Sequence, residues 1–249
     1  MTKDLIVYWA PSKFTSFEEQ WNMLYSEPTP VADSLVNNVT QGTQMVRCPA
    51  TRAVLKNIFS LNSNIEENVD LTAVDLKLIA EDNTNDQYRL DLNSSVAIFK
   101  ERASSFDGYV NITYNLGWLF FSEEPLTVKI CSPYFPTTTP VSGSIMSVGE
   151  FDIGRWFRPF NIDYHIPTES ESFKIKLGDP LAFLEFKTDK KIIFKRFKPT
   201  PEILALSREF SDSSANYGIK KTLKQRYEMA KRSGVMSLVS SEIKKNLVG

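Results

Sequence analysis

Apolar and charged positions alternate most sharply where Phe173, Ile175 and Leu177 are separated by Lys174 and Lys176. A period of two over five residues gives a half-buried strand with one apolar and one charged face. Gly178 tolerates a positive φ, and Pro180 fixes its own φ and lacks a donor, so a turn is predicted at 178–180. The next run, Leu181 to Phe186, is almost wholly apolar, as a strand covered on both faces would be. Ile192, Ile193 and Phe194 open a third strand, and Pro199 and Pro201 end the sheet.

Elsewhere, Leu5 to Trp9 reads as a strand closed by Pro11. Ser16 with Glu19 three residues on forms a capping-box pattern, predicting a helix over 17–25. Residues 31–43 are polar and fit a short helix or a loop. Gln44 to Cys48 reads as a strand, and Arg52 to Leu61 fits either helix or strand. Leu71 to Ile79 alternates, with Thr72, Val74, Leu76 and Leu78 as its buried set. Further strands are expected around 87–92, 95–99, Leu126–Cys131 and Ser144–Val148. Gly108–Asn115 and Gly117–Phe121 suggest a hairpin about Asn115, and the prolines of 133–140 an extended loop.

After Pro201 the period becomes 3.6. Ile203, Leu204, Leu206 and Phe210 share one stripe, and Ile219, Leu223, Tyr227 and Ala230 share another. The remaining face of this second helix carries Lys220, Lys221, Lys224, Arg226, Lys231 and Arg232, and Gly234 ends it. Val235 to Leu247 fits a last short helix. The expected fold is mainly β, with a jelly-roll or β-sandwich domain over 44–198. An N-terminal strand and helix (1–43) pack on it, and a basic helical extension follows (199–249).

Composition adds to this picture. Apolar residues make up 42% of the 249, enough for a real core, and the aromatic share of 12% suits sheets. Cys48 and Cys131 cannot frame a disulfide scaffold or a zinc site, and both are expected as buried thiols. The apolar run at the N-terminus is too short for a signal peptide, and no stretch approaches the roughly 20 apolar residues of a membrane span. A soluble protein is expected, inside a cell or in a virion assembled there. The formal charge of −1 hides an asymmetry. Residues 187–249 hold fifteen Lys/Arg against six Asp/Glu, whereas 1–186 hold fourteen against twenty-four. A basic tail on an acidic body suits a negative partner: a protein, another copy, or nucleic acid.

His165 is the only histidine, which excludes metal sites that need two imidazoles. No metal or cofactor is expected. Asp163 and His165 share a strand face and could form an acid–base pair, while Glu150 and Asp152 repeat the spacing with two carboxylates. No phosphate-binding glycine motif occurs. Arg155, Trp156, Phe157, Arg158 and Phe160 interleave cations with aromatics, a pattern of nucleic-acid surfaces and equally of core aromatics alternating with surface arginines.

Gly149-Glu150-Phe151-Asp152, with the later stretch Phe173 to Ala182, resembles two late strands of the dUTPase and dCTP deaminase jelly-roll family. The resemblance implies a jelly roll in which Asp152 would activate water. The family's glutamine is Phe183 in this chain, so the fold carries over and the activity does not. The order of Arg47-Cys48-Pro49, Gly117-Trp118-Leu119-Phe120, the proline-containing loop at 132–140, Gly143 with the acidic pair, and Gly178-Asp179-Pro180 resembles an uncharacterised bacterial and phage family, which implies a β fold. The expected function is a non-enzymatic structural or binding protein, of phage-like texture, that docks on a partner or a copy of itself through Lys220, Lys224, Arg226, Lys231 and Arg232. A nucleotide-directed enzyme and a nucleic-acid module using Arg155, Trp156 and Arg158 are the alternatives.

Overall fold

The computed structural model describes residues 4–12, 25–33, 48–64, 67–74, 77–82, 96–103, 106–133, 143–170, 172–212 and 222–248. The expected helix over 17–25, the 31–43 segment, the strand around 87–92, the 133–140 loop, and Lys220 and Lys221 lie wholly or largely outside them. Among the described residues the fold is mainly β. In chain order the strands are β1 (Leu5–Pro11), β2 (Thr29–Pro30), β3 (Ile58–Asn62), β4 (Glu67–Val74), β5 (Lys77–Asp82), β6 (Val96–Ala103) and β7 (Tyr109–Phe121). They continue with β8 (Thr127–Cys131), β9 (Ile145–Met146), β10 (Gly149–Asp152), β11 (Pro159–Pro167), β12 (Ser172–Ile175), β13 (Pro180–Phe186) and β14 (Ile192–Arg196). Helices are α1 (Pro49–Leu55), α2 (Pro201–Asp212), α3 (Leu223–Ser233) and α4 (Val235–Lys245).

A six-stranded sheet runs β14-β1-β7-β11-β9, with β6 also paired to β7. A five-stranded sheet runs β10-β8-β13-β3-β2, and β12-β4-β5 form a third. Within the six-stranded sheet, β1 and β14 pair in parallel, from Leu5 opposite Ile192 to Trp9 opposite Arg196. The two larger sheets bury one common core. Val7, Trp9, Phe120, Ile162 and Tyr164 of the first meet Phe59, Leu61, Val128, Ile130, Leu184 and Phe186 of the second. Phe59 lies edge-on to Phe194 at 4.9 Å, and Phe151 tilts against Phe160 at 4.7 Å. Tyr164 donates to the Leu181 carbonyl at 2.8 Å, and its burial holds the phenol well above its usual titration range.

The run Leu5–Trp9 is apolar at every position because β1 is covered on both faces. Leu5, Val7 and Trp9 face the common core. Tyr8 and Ala10, with Leu119, Phe121 and Phe157, pack outward against Ile203 and Leu204 of α2 and Val239 and Ile243 of α4. β13 is covered twice as well: Ala182, Leu184 and Phe186 face inward, while Phe183 packs with Leu55 of α1 and Ile58. The C-terminal end then lies along β14, with Lys198 N–H donating to Asn246 O at 2.8 Å and Val248 N–H to Arg196 O at 3.0 Å.

Several expectations change. No hairpin forms about Asn115; β7 runs unbroken through it, paired along β11 with a bulge between Phe160 and Ile162. Gly117 serves close approach, since a Cβ there would lie 2.6 Å from Ser12 Oγ and 3.1 Å from Phe160 O. The alternation over 71–79 is two strands: β4 ends at Val74, which pairs with Lys77 at the start of β5. Thr72 stands opposite Ile79 and Ala73 opposite Leu78, so the reversal inverts the parity of the alternation, and the register does not keep Leu78 with Thr72 and Val74. The ambiguous 52–61 run divides into the end of α1 and the start of β3. Between them Asn57 takes a positive φ of 60° and donates to the Thr188 and Lys190 carbonyls.

Because α2 and α4 share a core with the six-stranded sheet, a chain ending at Lys198 would expose Tyr8, Leu119, Phe121 and Phe157. Such a chain should aggregate or lose its cooperative thermal transition. A soluble, cooperatively melting 1–198 would show that this outer layer is dispensable.

Candidate functional site

The aromatic and basic cluster forms where β10 passes to β11. Asp152 closes β10 and is buried, 6% exposed. One carboxylate oxygen accepts from the N–H groups of Leu126 (3.0 Å) and Gly154 (2.8 Å), and the other pairs with Arg155 Nε at 3.3 Å. Acceptance from the residue two further on is the side-chain turn that aspartate favours. Arg155 and Trp156 donate backbone N–H bonds to the Asp152 carbonyl, which tightens the turn. Gly154 is required sterically, because a Cβ there would meet the Glu124 carbonyl at 2.3 Å.

Trp156 is the centre of the cluster. Phe151 meets its ring edge-on at 5.3 Å, and its Nε1 donates to the Phe210 carbonyl at the end of α2, at 3.3 Å. The guanidinium groups of Arg158 and Arg226 stand 5.0 and 5.3 Å from its ring centroid. Arg226 comes from α3, and so does Tyr227, whose hydroxyl accepts the Asp152 N–H at 2.7 Å. Burial raises the Tyr227 phenol above its ordinary range, against the lowering effect of that bond. Two stretches predicted separately, Arg155–Arg158 and the tail helix, therefore meet at one indole.

The predicted binding residues divide. Arg226, assigned to the solvent face of its helix, points inward at Trp156, because it borders the Tyr227–Ala230 stripe. Lys224, Lys231 and Arg232 are exposed, with no ion pair among the described residues. Thr222 caps α3 in a reciprocal box with Gln225, and Gly234 ends the helix at φ 67°. Among the described residues of the tail helices, Lys244 also has a partner on the body, 2.5 Å from Glu123, which accepts from Ser240 at 2.7 Å as well.

Asp163 and His165 share a face of β11 but do not pair with each other. Asp163 accepts from Thr113 Oγ1, while His165 Nε2 lies 3.0 Å from Ser147 Oγ, with Phe106 edge-on at 5.0 Å. The neighbouring hydroxyls reach each group first. Among the described residues, no three His, Cys, Asp or Glu side chains gather as a metal site would require. Ser147, Gly154, Tyr227 and Glu123 were missed by sequence reasoning. Only the Asp152-Ile153-Gly154 turn carried a local signal.

The cysteines also differ from expectation. Cys131 is half-buried, but Cys48 is exposed, because it stands just ahead of Pro49 at the start of α1. The N–H groups of Thr51 and Ala50 lower its pKa, whereas burial raises that of Cys131. Alkylation by iodoacetamide near neutral pH should therefore modify Cys48 well before Cys131, with a rate midpoint at lower pH. Equal rates at both would refute this, as read by peptide mass spectrometry.

Replacing Asp152 with Ala strands two N–H donors and Arg155, at a cost of about 3 kcal/mol, or about 10 °C in Tm. Asp152→Asn keeps an acceptor and should lose less. Calorimetry showing Asp152→Ala as stable as the parent would contradict the fastening role. The chain matches no protein-family model, no curated protein and no solved structure.

Proposed function

We propose that this chain is a non-enzymatic binding or structural protein, and that the exposed side of α3 docks on an acidic surface. The two larger sheets would be the leaves of a β-sandwich that carries this helix. The supporting observation is the set Lys224, Lys231 and Arg232: three exposed cations on one short helix, with Glu228 the only acidic residue in it and no ion pair to the body among the described residues. Their spacing of seven and eight residues places them on one side of the helix, two turns apart. The rest of the tail's charge is partly spent within the chain, at Arg226 and Lys244. Residues 1–186, with ten more acidic than basic groups, supply the complementary charge on a second copy.

A nucleotide-directed enzyme would use Asp152 to activate water. Both of its oxygens are already engaged by backbone N–H groups and Arg155, which favours the fastening role instead. Among the described residues no helix is long and apolar enough to cross a membrane.

Deleting the tail would not test this, because α2 and α4 belong to the core. Charge reversal leaves that core intact. The full chain should show a mass above the monomer by light scattering at low salt. The triple variant Lys224→Glu, Lys231→Glu, Arg232→Glu should return to the monomer with an unchanged melt. The same mass for both proteins would overturn the proposal.

A further inference from the structure

The helix α3 is held to the body differently from its neighbours. Helix α4 buries Val239 and Ile243, and α2 buries Ile203 and Leu204, but α3 buries only Ala230. Its attachment is polar: the Asp152 N–H to Tyr227, Arg226 at Trp156, and Arg155 6.0 Å from the Tyr227 ring centroid. Water can replace the hydrogen bond and solvate both guanidinium groups, whereas apolar burial has no such substitute. An element with so little buried apolar surface opens at lower free energy than the core it lies on. Gly234, left-handed and with open space where a Cβ would sit, joins α3 to α4.

Trp156 lies beneath this helix, with Arg158 over its ring and Arg155 beside it in sequence. Arg226 is itself a flat cation, 5.3 Å from the ring centroid, in a place that another planar group could take. We propose that Trp156 is a stacking platform for a base of single-stranded nucleic acid, with Arg155 and Arg158 meeting its phosphates, and that α3 is the strap covering it. A base and its phosphate would satisfy an indole and two guanidinium groups together. An acidic protein surface would use the arginines and gain nothing from the indole. This site is independent of the docking surface on the outer side of α3.

The test uses the full chain and a fluorescein-labelled oligothymidylate of about twelve nucleotides, followed by anisotropy. Arg226→Gln with Tyr227→Phe loosens the strap and removes one positive charge. Electrostatics alone therefore predicts weaker binding. The inference predicts binding about tenfold tighter, the gain being lost when Trp156→Leu is added and largely kept with Trp156→Phe, which still stacks. Unchanged or weaker binding in the loosened variant, or a gain that survives Trp156→Leu, overturns it. Hydrogen exchange on the unmodified chain gives a ligand-free check. The α3 amides should exchange at least about tenfold faster than those of α4, and equal protection would rule out a strap.

Discussion

The structure depends on one constraint: β1 is apolar on both faces and so must be covered twice. The five-stranded sheet covers Val7 and Trp9, while α2 and α4 cover Tyr8 and Ala10. These two coverings account for the layered arrangement of the chain. They also explain why the basic C-terminal region cannot be treated as an appendage. Its helices complete the core of a sheet whose first strand in the chain begins at Leu5.

Around this apolar framework, charge mainly fastens. Asp152 draws the β8 approach, the β10–β11 turn and Arg155 together. Glu123 holds α4 through Ser240 and Lys244, and Lys190 reaches Glu124 at 2.5 Å. Exposed pairs of this kind add little stability individually. Their value is positional, because they set where a helix rests once apolar burial has brought it to the sheet. Helix α3 has the least such burial and the most polar attachment, which separates it from α2 and α4 in mechanical character.

Much of this was legible in the sequence, and what was hidden has identifiable causes. Local period showed which residues face a core: Leu181–Phe186 as a doubly covered strand, Ile203–Phe210 as a helix, and Gly178, at φ 85°, as a turn. Period does not show which strand is a neighbour, so the parallel pairing of β1 with β14 was invisible. Asn115 and Gly117 resemble a turn until β11 and Ser12 are present; then the glycine serves passage rather than reversal. At the site, the Arg155–Arg158 cluster and the tail helix could each be read, but their meeting at Trp156 is a contact between distant stretches that no local pattern records. Arg226 was misplaced for the same reason: a helical wheel shows its angle and not what waits at the edge of the buried stripe.

The pairing of β1 with β14 also sets an order on biosynthesis. Trp9 and Arg196 are partners in the sheet, yet the ribosome needs roughly ten to forty seconds to travel from one to the other. Through that interval the nascent chain carries a strand that is sticky on both faces and open along one edge. Its outer cover arrives later still, with Val239 and Ile243. Contacts this distant in sequence slow folding, since loop closure precedes any gain from burial. The chain therefore reaches its native state only after Val239 and Ile243 have been synthesised. Its dependence on chaperones in the cell should exceed that of a β protein whose sheets close locally, strand by strand.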